Sequence, residues 1–288
     1  MSNNDLLDNI KKLREMTGVG FKDCKSALDE SNGDIEKSIE FLRKKGIAKA
    51  SKKMSRTASE GLVLVKKEKG EISIIEINSE TDFVAKNKDF LSFCREISDL
   101  NFIARGNIDK ISDLKMKNEI LVKDNLVSLI AKIGEKITIR RAHFFDNNNG
   151  ANFFYVHSAI EQNIGKIISI VKLDGIVVDK NDDIGSKISM HIAASNPLAI
   201  DEGSLKKEVV EKELEIIKAE ITNSGKPSEM AEKISKGKIT KFINDNTLLN
   251  QIWIMDSKKK VSDILKENKV DKEIKVLEFI RYKVGEGV

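Results

Sequence analysis

Residues 61–78, GLVLVKKEKGEISIIEIN, mark the point at which the chain changes from helical to extended structure. Two apolar runs with alternating polar positions lie on either side of Glu68-Lys69-Gly70, a pattern typical of two strands joined by a tight turn. A polar turn at 79–82 leads into a predicted helix from Phe83 to about Ile97. The stretch therefore predicts an antiparallel sheet backed by helices.

Upstream of this hairpin, residues 1–45 predict a module of three short helices. Leu6, Ile10 and Leu13 recur at three- and four-residue spacing, which places them on one helical face. Asp34 follows an Asn-Gly turn and is a candidate N-cap for the third helix. So few apolar residues make a marginal core for an independent domain.

A basic segment follows the helical module, and we predict a linker at residues 46–60. Residues 43–56, RKKGIAKASKKMSR, contain seven basic residues and no acidic residue. Such a run is typical of a solvated linker or a frayed helix end. The alternative is a contact with phosphates or with an acidic surface.

Downstream, the order of hairpin, helix, later helix and final strand occurs twice. The first occurrence fills residues 61–146 and the second fills residues 147–288. We interpret this as a duplicated core, each half being an antiparallel sheet backed by helices. The predicted class is therefore α+β.

A helical insertion interrupts the second half at residues 204–246. Val210, Leu214, Ile217 and Ile221 are spaced four, three and four residues apart, which is the seam of a coiled coil. Ser224-Gly225-Lys226-Pro227 reverses the chain, and Met230, Ile234 and Phe242 continue an apolar stripe on the return. The pattern predicts an antiparallel coiled-coil hairpin.

Composition indicates a cytoplasmic protein that does not bind nucleic acid directly. The 288 residues are 40% hydrophobic and 33% charged, with a formal net charge of only +4 and 5% aromatic residues. No apolar run approaches the roughly 18 residues that a membrane helix requires, and the N-terminus has no targeting pattern. Cys24 and Cys94 are expected to be reduced thiols.

Motifs that carry chemistry are missing from the sequence. It contains no phosphate-binding loop, no dinucleotide-binding glycine motif, no CxxC and no nucleophile elbow. His143, His157 and His191 lack the spacing of metal ligands. We therefore expect no catalytic residue, no metal and no cofactor, and a protein that acts by binding another protein.

Several short motifs recur together in one known family, and they are Leu13–Gly20, Asp23–Lys25, Asn32–Glu36, Thr81–Lys86, Ala131–Glu135, Met190–Ser195 and Val284–Gly287. With these motifs the chain resembles bacterial translation elongation factor Ts, the nucleotide exchange factor for elongation factor Tu. The resemblance implies a ubiquitin-associated-like (UBA-like) N-terminal domain, and elongation factor Tu, GDP-bound or nucleotide-free, as the partner.

The resemblance gives Asp82 and Phe83 the central role, as the pair that intrudes beside the magnesium and phosphate site of the partner. From the residues alone, the favoured interpretation is that Asp82 caps the following helix, with Phe83 packed in its first turn.

The resemblance implies partner contacts for six further residues. Arg14 and Lys25 would touch the partner's nucleotide-binding domain, and Phe21 would keep half of an apolar contact. His191 would be a core histidine at the interface. Ile254 and Met255 would dock on the partner's far domain, although from the residues alone they are equally a core strand.

The sequence departs from the family pattern in the loop at 155–166, and it stops at Val288, where many relatives continue into a C-terminal helical module. A second hypothesis is a basic RNA- or ribosome-binding protein that uses residues 43–56.

Overall fold

The computed structural model of the chain describes residues 3–17, 19–223 and 228–288. The helices there are α1 (Asn3–Thr17), α2 (Phe21–Glu30), α3 (Ile35–Lys53), α4 (Lys88–Ala104), α5 (Ile108–Asp113), α6 (Val122–Ile133), α7 (Val178–Ser195), α8 (Lys207–Asn223), α9 (Ser228–Asn246) and α10 (Val261–Glu267). The strands are β1 (Glu60–Glu68), β2 (Glu71–Ser79), β3 (Ile137–Phe145), β4 (Ala151–Glu161), β5 (Ile164–Asp174) and β6 (Lys275–Lys283). This mixture of helices and hairpin-paired strands confirms the predicted α+β class.

The elements fall into two compact units. Unit 1 comprises Met1–Lys66, Ser73–Phe144 and Lys283–Val288, and unit 2 comprises Lys67–Ile72 and Phe145–Tyr282. Unit 1 thus contains both the helical module and the first half of the core, and their division into two domains stays a prediction.

In unit 1, the three N-terminal helices pack around a small core of their own. The buried residues of this core are Ile10, Leu13, Cys24, Ala27, Leu28 and Leu42. The carboxylate of Asp34 accepts a hydrogen bond from the backbone N–H of Lys37 at 3.0 Å, so the predicted N-cap of α3 is confirmed.

Helix α3 corrects the predicted linker at 46–60, because it continues through residue 45 as far as Lys53. The reason is packing against α6. A Cβ placed on Gly46 would lie 3.4 Å from the Cβ of Ala131, so the two helices are in close contact at this point. Ala50, one turn later, is buried. Residues 46–53 are therefore helical.

The strands of unit 1 have the order β3-β2-β1. The predicted hairpin is confirmed, with Lys69 and Gly70 in its turn at φ values of 48° and 84°. A buried carboxylate, Glu76, accepts hydrogen bonds from Arg140 Nη1 at 3.0 Å, from Arg141 Nε at 2.5 Å and from the backbone N–H of Gly285 at 2.9 Å. It therefore ties the C-terminal Val284–Gly287 stretch to strands β2 and β3.

In unit 2, β5 pairs with β4 in antiparallel register, Phe153 opposite Val171, and with β6. Helix α7 lies so close to this sheet that a Cβ on Gly185 would fall 2.2 Å from the ring of Phe153. The buried core of the unit is formed by Phe153, Val171, Leu173, Ile184, Ile188, Ile192, Leu248, Trp253, Val261, Ile264, Leu265 and Ile274.

The two units repeat one arrangement, as the predicted duplication requires. In each, a hairpin is followed by helices and then by a final strand, and that strand lies beside the second strand of the hairpin. Unit 1 does this with β3 beside β2, and unit 2 with β6 beside β5.

The predicted insertion consists of α8 and α9, which pack against each other. Ile217 and Ile221 are buried in α8, and Lys238 pairs with Glu220 across the helices at 2.6 Å. The predicted turn at 224–227 and the side chain of Met230 lie outside the described residues, and the coiled-coil character of the pair stays a prediction.

Candidate partner-binding site

The Asp82–Phe83 turn connects β2 to a short 3-10 helix, Val84–Lys86, which precedes α4. The side chain of Phe83 is 78% exposed, whereas Val84 and Ala85 directly after it are buried. The ring of Phe83 therefore lies in solvent next to anchored residues, where a partner could reach it.

Asp82 does not cap a helix. The 3-10 helix after it has no side-chain cap, and α4 is capped by Asn87, whose Oδ1 accepts from the backbone N–H of Asp89 at 2.9 Å. The carboxylate of Asp82 lies 3.8 Å from Lys86 Nζ in a solvent-exposed ion pair. The geometry differs from the capping alternative of the sequence analysis, and it leaves the carboxylate on the surface beside Phe83.

Two glutamates fix the turn from its N-terminal side, and we name this arrangement the carboxylate clamp (Glu80, Thr81, Glu135 and Lys136). The carboxylate of Glu135 accepts from the Thr81 backbone N–H at 3.0 Å and from the Thr81 hydroxyl at 2.8 Å. In return, Glu80 accepts from the backbone N–H of Lys136 at 2.5 Å. Arg56 Nη1 also pairs with Glu80 at 3.2 Å.

The pKa of Glu80 reflects these contacts. Partial burial raises it, but the hydrogen bond from the Lys136 N–H and the hydrogen bond and charge of Arg56 outweigh burial, and the pKa lies below its ordinary value. Glu80 is therefore ionised at neutral pH.

The N-terminal candidates lie on the surface of the helical module. Arg14 on α1 and Lys25 on α2 are exposed. Phe21 begins α2 and is 47% exposed. Met16 is also exposed, and the sequence analysis did not single it out although it lies inside the Leu13–Gly20 motif. Two cations and two apolar side chains are thus available on α1 and α2.

Several side chains of the basic segment at 43–56 pair with acidic groups of unit 1. Four of its seven basic residues pair with carboxylates: Arg43 with Asp124, Lys44 with Glu40, Lys45 with Asp23 and Arg56 with Glu80. Lys53 Nζ donates to the carbonyl oxygen of Gly134. These are surface contacts, and the hypothesis of RNA binding through the segment stays a prediction.

In unit 2, Ile254 and Met255 lie in a turn, not in the core strand that was the alternative. The turn is closed by a bridge between Ile252 and Lys260, and the Trp253 N–H donates to the carbonyl of Lys259 at 2.8 Å. Trp253 is buried, while Ile254 and Met255 remain 42% and 45% exposed. Trp253 therefore anchors two apolar side chains that point away from the core.

His191 is fully buried, so its side chain has no access to a partner in this structure. Its ring stacks on Trp253 with the centroids 5.2 Å apart, and its Nε2 lies 3.0 Å from Gln251 Oε1. Gln251 Nε2 donates to the carbonyls of Ser195 and Asp245, so its Oε1 faces His191 and assigns the proton there to Nε2. His191 thus packs against Trp253, the buried residue that anchors the Ile254–Met255 turn.

Burial lowers the pKa of His191, and the hydrogen bond with Gln251 opposes that shift only in part. The Nδ1 atom is buried without a hydrogen-bond partner, so a proton there would be an unpaired buried charge. The ring is therefore neutral at physiological pH.

Among the described residues, no group of three or more His, Cys, Asp and Glu side chains is arranged to hold a metal ion. In the same part of the chain, no helix has the length and apolar character needed to cross a membrane. Cys24 and Cys94 are buried free cysteines, and burial raises the pKa of both thiols.

Comparison with known proteins gives matches along nearly the whole sequence. The family model described as Elongation factor TS matches residues 80–286. Elongation factor Ts of Rickettsia prowazekii is 41% identical over 283 residues, which cover 97% of this chain and 91% of that protein. Elongation factor Ts of Xanthobacter autotrophicus is 41% identical over 283 residues, with 97% and 92% covered. Elongation factor Ts of a Methylobacterium species is 40% identical over the same length, with the same coverage.

Proposed function

The chain belongs to the elongation factor Ts family, whose members are translation elongation factors, and on this premise we propose that it binds elongation factor Tu and promotes the release of GDP. The released partner then binds GTP. The protein needs no active site of its own for this role, because it acts on the nucleotide affinity of its partner.

Exchange of this kind follows from linkage. A bound guanine nucleotide is held largely through its phosphates and a magnesium ion. A protein that binds better to the state in which those contacts are broken lowers the affinity for nucleotide. By reciprocity, nucleotide weakens the binding of that protein by the same factor.

The exposure of Phe83, beside the carboxylate of Asp82, is the observation that carries this proposal. An exposed aromatic ring gains burial when it enters an apolar gap in a partner. A carboxylate brought close to a magnesium ion competes with the oxygen ligands and waters that hold it. Together they form a wedge suited to disturb a magnesium and phosphate site.

The other candidates supply affinity in the same proposal. Arg14, Phe21 and Lys25 on the helical module contact the partner's nucleotide-binding domain. Ile254 and Met255 contact its far domain, and His191 holds their turn in place without touching the partner. Helices α8 and α9 add contact area beyond the core of unit 2.

Stopped-flow release of fluorescent GDP from elongation factor Tu tests the proposal. We expect Phe83→Ala to slow release from the saturated complex by about tenfold or more, which corresponds to roughly 1.4 kcal/mol of lost stabilisation. Asp82→Asn removes the charge at almost constant size, and its effect should depend on magnesium concentration. Ile103→Ala is the matched control, because Ile103 is 68% exposed on α4 of the same unit.

With the Ile103→Ala control, elongation factor Tu should release GDP as fast as it does with the parent protein. A parent protein that leaves the release rate unchanged would refute the exchange function. If Phe83→Ala and Asp82→Asn promote GDP release from elongation factor Tu as fast as the parent protein does, the wedge plays no part in the mechanism. Elongation factor Tu would still be the partner.

A further inference from the structure

The carboxylate clamp joins two segments that are far apart in sequence and borders directly on the Asp82–Phe83 turn. Glu135 takes both donors of Thr81, the backbone N–H and the hydroxyl. Glu80, the residue before Thr81, takes the backbone N–H of Lys136, the residue after Glu135. Each segment therefore supplies one carboxylate to the other, and the crossed pairs fix both the distance and the orientation between them.

On its far side, the turn is held by burial. Val84 and Ala85 are buried, and the backbone N–H of Lys86 donates to the carbonyl of Phe83 at 3.1 Å. Only Asp82 and Phe83 lie between the clamp and this buried anchor. Their backbone is thus fixed at both ends, while their side chains remain in solvent.

The end of α3 is tied to the same place. Lys136 Nζ donates to the carbonyl oxygens of Met54 at 2.7 Å and Arg56 at 2.8 Å, and Arg56 pairs with Glu80. The segment after α3 therefore also holds the clamp in place. No residue of the clamp belongs to the apolar core of the N-terminal helices.

We propose that Glu135 is a positioning residue for nucleotide exchange: its carboxylate holds Thr81 so that Asp82 and Phe83 present a preformed wedge to the partner. The inference rests on the proposed exchange function. An apolar ring that is already in its bound position loses little conformational freedom on insertion, so pre-organisation favours the complex in which nucleotide contacts are broken. A carboxylate suits this position because it accepts from two donors at once, one on each oxygen.

Glu135→Gln tests the inference with minimal change in size. The amide oxygen can still accept from the Thr81 backbone N–H, but the NH2 group can only donate to the Thr81 hydroxyl, so the contact loses its negative charge and one of its hydrogen bonds is reversed. We expect GDP release from the saturated complex to slow about fivefold, with less than a twofold change in the concentration that gives half-maximal release. Thr81→Val, which removes only the hydroxyl donor, should give a smaller slowing in the same direction.

A double-mutant cycle with Phe83→Ala separates positioning from general stability. If Glu135 acts through the wedge, Glu135→Gln should slow release less than twofold further once Phe83 is gone. The matched control is Glu119→Gln, which changes an exposed glutamate of the same unit paired with Lys115 at 3.3 Å. Melting temperatures are measured for every variant, and Thr81→Val decides the question if Glu135→Gln does not fold.

Additive effects of Glu135→Gln and Phe83→Ala would overturn the inference, as would unchanged release by folded Glu135→Gln and Thr81→Val proteins. These outcomes leave the exchange function intact, because the parent protein still promotes GDP release from elongation factor Tu. A parent protein that does not promote GDP release from elongation factor Tu would refute both the exchange function and the positioning role.

Discussion

Two exposed turns of this protein, Asp82–Phe83 in unit 1 and Ile254–Met255 in unit 2, present apolar side chains to solvent by different physical means. The first turn is held by the carboxylate clamp, whose residues are half-buried and joined through two carboxylate groups. The second is held by Trp253, which is buried and stacked on His191. In both cases neighbouring residues fix the place of the exposed side chain.

Because the two turns are held by different contacts, substitutions near them should have different effects on function and on stability. Charged contacts near the surface contribute modestly to the free energy of unfolding and are weakened by salt. A buried aromatic stack contributes much more, because its removal leaves a cavity. We therefore expect damage to the first turn to reduce function while the fold persists, and damage beneath the second turn to reduce stability first.

The largest expected effect is that of Trp253→Ala. Because Trp253 belongs to the core of unit 2, its truncation should lower the free energy of unfolding by about 3–5 kcal/mol, measured by denaturant titration. Phe83→Ala should change the same quantity by less than about 0.5 kcal/mol, since the ring is in solvent. Equal losses for the two variants would show that both rings are core residues and would break the comparison.

An intermediate effect is expected from the pH dependence of His191. Its pKa is lowered in the folded protein, so below the ordinary value of about 6.5 the unfolded chain takes up a proton that the folded chain refuses. Stability is therefore full above that pH and falls as the pH decreases. Between pH 7.5 and 5.5 this group should remove up to about 1.4 kcal/mol from the free energy of unfolding.

His191→Gln should reduce that pH dependence, measured as the difference in the free energy of unfolding between the two pH values. The matched control is His157→Gln, which alters an exposed histidine of the same unit and should leave the dependence unchanged. A His191→Gln protein with the full acid sensitivity of the parent would mean that the sensitivity lies in other groups.

The smallest effect is expected for Lys86→Ala. Its ion pair with Asp82 is 3.8 Å long, and the two side chains are 73% and 54% exposed, so the pair contributes at most a few tenths of a kcal/mol. The melting temperature should be unchanged, and GDP release should differ less than twofold. A large loss of release would show that Lys86, and not the backbone held by the clamp, fixes Asp82.

Much of the local structure follows from neighbouring residues in the sequence. The Lys69-Gly70 turn and the Asp34 cap are found where the patterns predict them, because turns and caps depend on residues a few positions apart. The end of α3 was predicted too early for the opposite reason. Its last turns are stabilised by packing on α6, a contact that periodicity does not reveal.

The sequence alone determined the α+β class, the duplicated order of elements and the family of the chain, since each of these depends on local patterns or on motifs read in register. Only the tertiary structure decided that Phe83 is exposed, that His191 is buried, and that Glu135 holds Thr81. Burial and hydrogen bonding between Thr81 and Glu135, or between His191 and Gln251, join residues more than fifty positions apart. Such contacts are set by how the elements pack together, and no spacing along the chain encodes them.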